Sequence, residues 1–163
     1  MNTADHVRYR KARFSTRLPR GRRYTAAHYW LLEEDDGIWR VGFTQFATRM
    51  LGDLVEYDFS ITPGTPISVG QEIGSIEGFK ALTVLYSVAE GDFLGVSEEL
   101  AADITAPESD PYGRGWLYRV RGRPDPESVD VDGYTALLDR TIDRLLESRH
   151  AGGRSDAEAD EDS

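Results

Sequence analysis

The chain of 163 residues contains no cysteine. That excludes disulfides, thiolate metal sites and a cysteine nucleophile. Any sulfur redox chemistry must come with a cofactor that brings its own sulfur. Histidine is scarce, and His6, His28 and His150 lie too far apart for metal-ligand spacing. No phosphate loop is present, because Gly70-Gln71-Glu72-Ile73-Gly74 fits neither the P-loop nor the dinucleotide pattern. No Gly-x-Ser-x-Gly elbow occurs. Carboxylates are many, but none sits in an apolar run that would raise its pKa. No apolar run approaches a membrane span, and mean hydropathy is −0.49. The first residues are Arg-rich and lack the apolar stretch of a secretory signal. The net charge of −10 and pI near 4.7 deny the chain the overall basic surface that phosphate backbones require. The expectation is a cytoplasmic protein with no membrane or nucleic-acid partner and no self-contained active site: a carrier or binding module rather than an enzyme.

What is present is unevenly placed. Residues 1–23 hold eight cations and one carboxylate and form a basic N-terminal lead, in which Val7, Tyr9 and Phe14 can still attach to a sheet. Residues 24–149 carry the folded domain. Residues 150–163 are mostly Gly, Ala, Ser and acid, and read as a disordered acidic tail. Within the domain, Tyr29–Leu32 and Ile38–Phe43 are strand-like and are joined by the acidic turn 33–37. Thr44 can cap a short helix that Gly52 ends. Leu54–Ile61 follows as a strand, with Pro63-Gly64 and Pro66 as turn signals. Phe93–Val96 and Trp116–Arg121 complete the set. From Asp132 the period changes to helical, with Tyr134, Leu137, Leu138, Thr141, Ile142 and Leu145 on one stripe. Short strands punctuated by Gly and Pro predict a small barrel or sandwich.

Lysine is rarer still: Lys11 and Lys80 are the only two. Lys80 stands in Ile76-Glu77-Gly78-Phe79-Lys80-Ala81, between apolar stretches at 71–77 and 82–88. This layout predicts a hairpin with the lysine at its tip, a place from which a covalently attached arm can swing.

Four blocks in order then resemble one family. Tyr24-Thr25-Ala26-Ala27-His28-Tyr29-Trp30 resembles the Tyr-Thr-x-x-His-Glu-Trp opening of glycine cleavage system H proteins. Val41-Gly42-Phe43-Thr44, Ala47 and Leu51-Gly52-Asp53 are similar to that family's Val-Gly-Ile-Thr, Ala and Leu-Gly-Asp. Glu77-Gly78-Phe79-Lys80-Ala81 is similar to its Glu-Ser-Val-Lys-Ala lipoylation site, and Asp110-Pro111-Tyr112-Gly113-Arg114-Gly115-Trp116-Leu117 to its closing Pro-Tyr-Gly-x-Gly-Trp-Leu. The resemblance spans roughly residues 24–121. It implies a mainly β barrel-sandwich hybrid of two antiparallel sheets with a C-terminal α-helix. It implies lipoate joined as an amide to Lys80, with Glu77, Gly78 and Ala81 recognised by a lipoate-attaching enzyme and His28 and Tyr29 beside the arm's cleft. The implied partners are a pyridoxal-phosphate (PLP) glycine decarboxylase, a folate-dependent aminomethyltransferase and the flavin enzyme dihydrolipoamide dehydrogenase. The carrier would shuttle an aminomethyl group among them and catalyse nothing itself. The chain departs from the family at Tyr29, where the family has Glu, at Val88-Ala89-Glu90-Gly91, and in its longer basic lead. These departures keep open an H-like lipoyl carrier of another pathway (a lipoate relay or sulfur oxidation) and an unmodified regulatory module of the same fold.

Overall fold

The protein is described by a computed structural model covering residues 5–162, with side chains as far as Arg149. In chain order the elements are β1 (His6–Lys11), β2 (Phe14–Pro19), β3 (Arg23–Tyr24), β4 (Tyr29–Asp35), β5 (Ile38–Phe43), α1 (Gln45–Leu51), β6 (Leu54–Phe59), β7 (Pro66–Ile67), β8 (Glu72–Gly78), β9 (Leu82–Tyr86), β10 (Ala89–Val96), α2 (Glu98–Ala102), α3 (Ala106–Ser109), β11 (Trp116–Pro124) and α4 (Val131–Asp162). Every strand pair is antiparallel. Six strands form one sheet in the order β3-β4-β5-β11-β10-β7, and β6-β8-β9 form a second. The two sheets enclose the main core, which includes Leu31, Val41, Phe43, Ile73, Ile76, Leu85, Phe93 and Leu117. The sandwich is the one the sequence predicts, but it does not close into a barrel. A third sheet, β1-β2, stands outside it.

That third sheet corrects the reading of 1–23 as a lead. Tyr9, Phe14, Thr16 and Leu18 face inward and are buried, while Arg8, Arg10, Ser15 and Arg17 face out. Arginine at alternate positions disguised a half-buried hairpin as a charged arm. The expected boundary after residue 23 also falls inside β3. The hairpin's inner face joins a second core with Tyr24, Trp30, Phe46, Trp116, Tyr134, Leu138 and Ile142. The six-stranded sheet is therefore covered on both sides. This explains the unbroken apolar run at the start of β4: Tyr29 and Leu31 enter the sandwich, and Trp30 enters the second core. Gly42, opposite Trp30 in register, leaves room for its indole.

Helix α4 buries Tyr134, Leu138 and Ile142 as expected. Leu145 does not pack and is 42% exposed, because the helix runs on past its last buried residue. The helix also continues beyond 149, where disorder is expected. Gly152 and Gly153 weaken a helix by about 1 kcal/mol each relative to alanine and do not forbid it. Residue 163 and the side chains of 150–162 lie outside the described residues. No described helix is long and apolar enough to cross a membrane.

Candidate functional site: the Lys80 turn and its clefts

Strands β8 and β9 form the expected hairpin, with Glu77 opposite Leu82. Ile73 and Ile76 point into the core, and Glu77 is exposed. Gly78 N–H donates to the Ala81 carbonyl at 2.8 Å, leaving Phe79 and Lys80 as the tip. The tip is held against the end of α1. Lys80 N–H donates to Leu51 O at 2.8 Å, and Phe79 N–H donates to Asp53 O at 2.9 Å. Glycine is needed at 78, since a Cβ there would overlap the Leu51 carbonyl. Helix α1 is built to offer that carbonyl. Thr44 caps its start through the Ala47 N–H, and Gly52, at φ 75°, turns the chain out of it. Lys80 itself is exposed, and its Nζ makes one 3.4 Å contact with Arg49 O. Phe79, 81% exposed, and Leu82, 71% exposed, stand beside it as large apolar side chains in solvent.

Two clefts flank the tip. An apolar one of about 350 Å³ is lined by His28, Tyr29, Met50, Ala81, Leu82 and Tyr86, among others. A polar one of about 440 Å³ is lined by Gln45, Arg49, Asp53, Lys80 and Glu108. In the apolar cleft His28 sits at φ 69°, in a tight turn closed by its N–H to Thr25 O. Its Nδ1 lies 2.8 Å from Tyr134 Oη, which also meets Thr44 Oγ1 at 2.8 Å. Burial pushes the His28 imidazole down to about 4, so it is neutral at pH 7. Tyr29 is stacked on Phe43 at 5.1 Å and accepts from Tyr86 N–H at 3.2 Å. Burial pushes its phenol up to about 12. The cleft wall is therefore uncharged, and none of its lining residues is a carboxylate.

The structure thus brings Lys80, Glu77, Gly78, Ala81, His28 and Tyr29 to one end of the sandwich. It also places Glu56, which sequence reasoning missed, directly across from Glu77. No local signal marks Glu56, because the pairing of β6 with β8 is a tertiary fact. Distant motif blocks meet too: Trp30 Nε1 donates to Pro111 O at 2.9 Å, and Gln45 N–H donates to Tyr112 Oη at 3.1 Å.

A packed sandwich that offers one amine on a clamped turn, beside an uncharged cleft, defines a swinging-arm carrier domain. Comparison with known proteins agrees. The glycine cleavage H-protein family model matches residues 22–136. The glycine cleavage system H protein of Sodalis glossinidius is 34% identical over 125 residues, covering 75% of this chain and 95% of that protein. The Psychrobacter protein of the same description is 35% identical over 121 residues, covering 74% and 90%. A crystal structure of a glycine cleavage system H protein from Mycobacterium marinum superposes with a TM-score of 0.68 at 32% identity, covering 75% of this chain and 99% of that one. The chain belongs to the glycine cleavage H-protein family, whose members are lipoyl carriers rather than catalysts.

Proposed function

We propose that this protein is the lipoyl carrier of a glycine cleavage system, with lipoate attached as an amide to Lys80. The carrying observation is the amine itself: exposed, at the tip of a turn whose backbone is bonded to Leu51 and Asp53. The base of the arm is fixed and its methylenes are free. The surroundings fit the group. Amide formation removes the ammonium charge, so the arm can enter an apolar space without a large desolvation cost, and the cleft beside Ala81 is such a space. Lipoate, once attached, supplies the dithiolane that takes up an aminomethyl group and cycles between disulfide and dithiol. This chain's residues hold and present it. Gly78 admits the close approach to α1, His28 and Tyr29 form a neutral wall, and tethering raises the arm's concentration at each partner's active site. The partners are a PLP glycine decarboxylase, a folate aminomethyltransferase, dihydrolipoamide dehydrogenase and a lipoate-attaching enzyme that reads Glu77, Gly78 and Ala81. The protein works in the cytoplasm and catalyses no step alone. The test is intact mass and peptide mapping of protein made with lipoate. One lipoyl group is expected on the Lys80 peptide, none on Lys11, and none in a folded Lys80→Arg variant. Modified Lys80→Arg protein would sink the assignment.

One observation favours a second reading. With Tyr29 in place of the family's Glu, the cleft has no carboxylate to hold a cationic aminomethyl arm. An uncharged arm, as in another lipoyl pathway, suits it as well. Failure of glycine decarboxylase to load the lipoylated protein would select that reading.

A further inference from the structure

The family match begins at residue 22, so the β1–β2 hairpin lies outside it. The hairpin is firmly attached. Tyr9 Oη donates to Asp139 at 2.8 Å, Thr16 Oγ1 to Gln45 Oε1 at 2.6 Å, and Lys11 pairs with Asp143 at 3.0 Å. Its outer face is different. Arg8 and Arg17 stand directly opposite each other across the strands, with Arg10 one step along the same face. Like charges in that register oppose strand pairing. Among the described residues none of Arg8, Arg10, Arg13, Arg17 and Arg20 has a carboxylate within 4.0 Å. Residues 1–23 contain one acid against eight cations, and the rest of the chain contains 28 acids against 11 cations. Lys11, on the hairpin's packed side, is neutralised, while among the described residues the outer-face arginines have no carboxylate partner.

Arg8, Arg10 and Arg17 line a cleft of about 720 Å³ between the hairpin and residues 108–113. Arg22 lines it too, lying 4.5 Å over the Trp30 ring, with a buried Nη1 that has no hydrogen-bond partner among the described residues. The two carboxylates in the wall are already engaged: Glu108 accepts from Leu54 N–H at 2.5 Å and Asp110 from Arg114 N–H at 2.9 Å. Gln45 and Glu108 are also walls of the polar cleft beside Lys80. The basic cleft and the Lys80 turn are therefore adjoining parts of one surface.

We propose that the β1–β2 hairpin is a docking element for a carboxylate-rich surface on an enzyme that serves the Lys80 arm. This rests on the carrier reading. A protein partner suits the patch better than nucleic acid, because the patch is small and the remaining surface is strongly acidic. At physiological salt, charges beyond about 8 Å are screened, so only a partner brought close and held beside Lys80 gains from it. The expected gain is in encounter rate and orientation, with charge complementarity setting which enzyme docks.

The test uses the full chain, unmodified and lipoylated, and the purified decarboxylase, aminomethyltransferase and dehydrogenase. Binding of each is measured between about 20 and 200 mM salt. Wild-type protein should bind at least one enzyme, weakening roughly tenfold or more across that range. The triple change Arg8→Glu, Arg10→Glu, Arg17→Glu should weaken low-salt binding by roughly tenfold and remove most of the salt dependence. The matching triple change to Lys should retain it. All three positions face solvent, so both variants should melt with the wild type. Equal binding of wild type and the Glu variant, or no binding to any enzyme, overturns the proposal. So does tighter wild-type binding to a DNA duplex or to phosphatidylserine vesicles, or self-association that the Glu variant abolishes. Failure of the carrier reading shows separately, as an unmodified Lys80 peptide, because docking is read on unmodified protein as well.

Discussion

The β8–β9 and β1–β2 hairpins solve opposite problems with the same element. The first is clamped by backbone. Its tip is bonded to Leu51 and Asp53, and Gly78 allows a contact that no side chain would permit. The second is tied to the domain through side chains: Tyr9, Lys11 and Thr16 by polar bonds, Phe14 and Leu18 by burial. Each also has a like-charged cross-strand pair in exposed register: Glu77 of the first faces Glu56 on the neighbouring strand β6, and Arg8 faces Arg17 within the second. Backbone clamping holds a turn in place independently of most side chains. Side-chain attachment makes the other hairpin depend on what it packs against, here the second core. The exposed charges in both cases work against local stability, which points to recognition rather than folding.

The comparison can be broken most severely at Gly78. Gly78→Ala should cost roughly 4 kcal/mol, above the usual range for overpacking because the obstacle is a backbone carbonyl. Denaturant unfolding would measure the loss, and lipoylation of Lys80 should fall with it. Phe14→Ala should cost about 3 kcal/mol by emptying the hairpin's share of the second core. In contrast to Gly78→Ala, it should leave lipoylation at the wild-type rate, because the Lys80 turn is bonded to α1 and not to the hairpin. Lipoylation lost in step with stability would show that the two hairpins form one unit.

A smaller effect tests the apolar cleft beside Ala81. His28 is held near 4 when folded and titrates near 6.5 when unfolded, so the unfolded state binds more protons in that window. Stability should therefore fall as pH drops from about 6.5 to about 4, by about 2 kcal/mol once partial exposure is allowed for, and be flat in this respect above that window. His28→Asn, chosen because asparagine tolerates positive φ, should reduce that slope relative to wild type in pH-dependent unfolding. An unchanged slope would assign it to other groups. The smallest effect is Glu77→Ala, an exposed position that should shift stability by less than about 0.5 kcal/mol. Its signature is a slower lipoylation rate at unchanged melting temperature.

Most of the sandwich was legible because local signals agree with the fold. The Thr44 cap and the Gly52 stop are each set by residues within a few positions and stand where expected, while the acidic turn narrows to 36–37 because β4 runs on to Asp35. The Lys80 turn was legible for the same reason. The short elements β3, β7, α2 and α3 were missed, since two to five residues hold no periodicity to read. The 1–23 hairpin was half legible, through Tyr9 and Phe14, and its arginines hid the rest.

By itself, then, the sequence determined the longer elements of the sandwich, the family and the single amine at the hairpin tip, because capping residues, glycines and turn chemistry act over a few residues. Tertiary structure alone decided which charges meet. It set Glu56 beside Glu77, placed a row of arginines on a surface adjoining Lys80, and made the His28–Tyr29 cleft neutral by burying Tyr29 and half-burying His28. Electrostatic character depends on distance and burial through space, and neither is written in the spacing of residues along the chain.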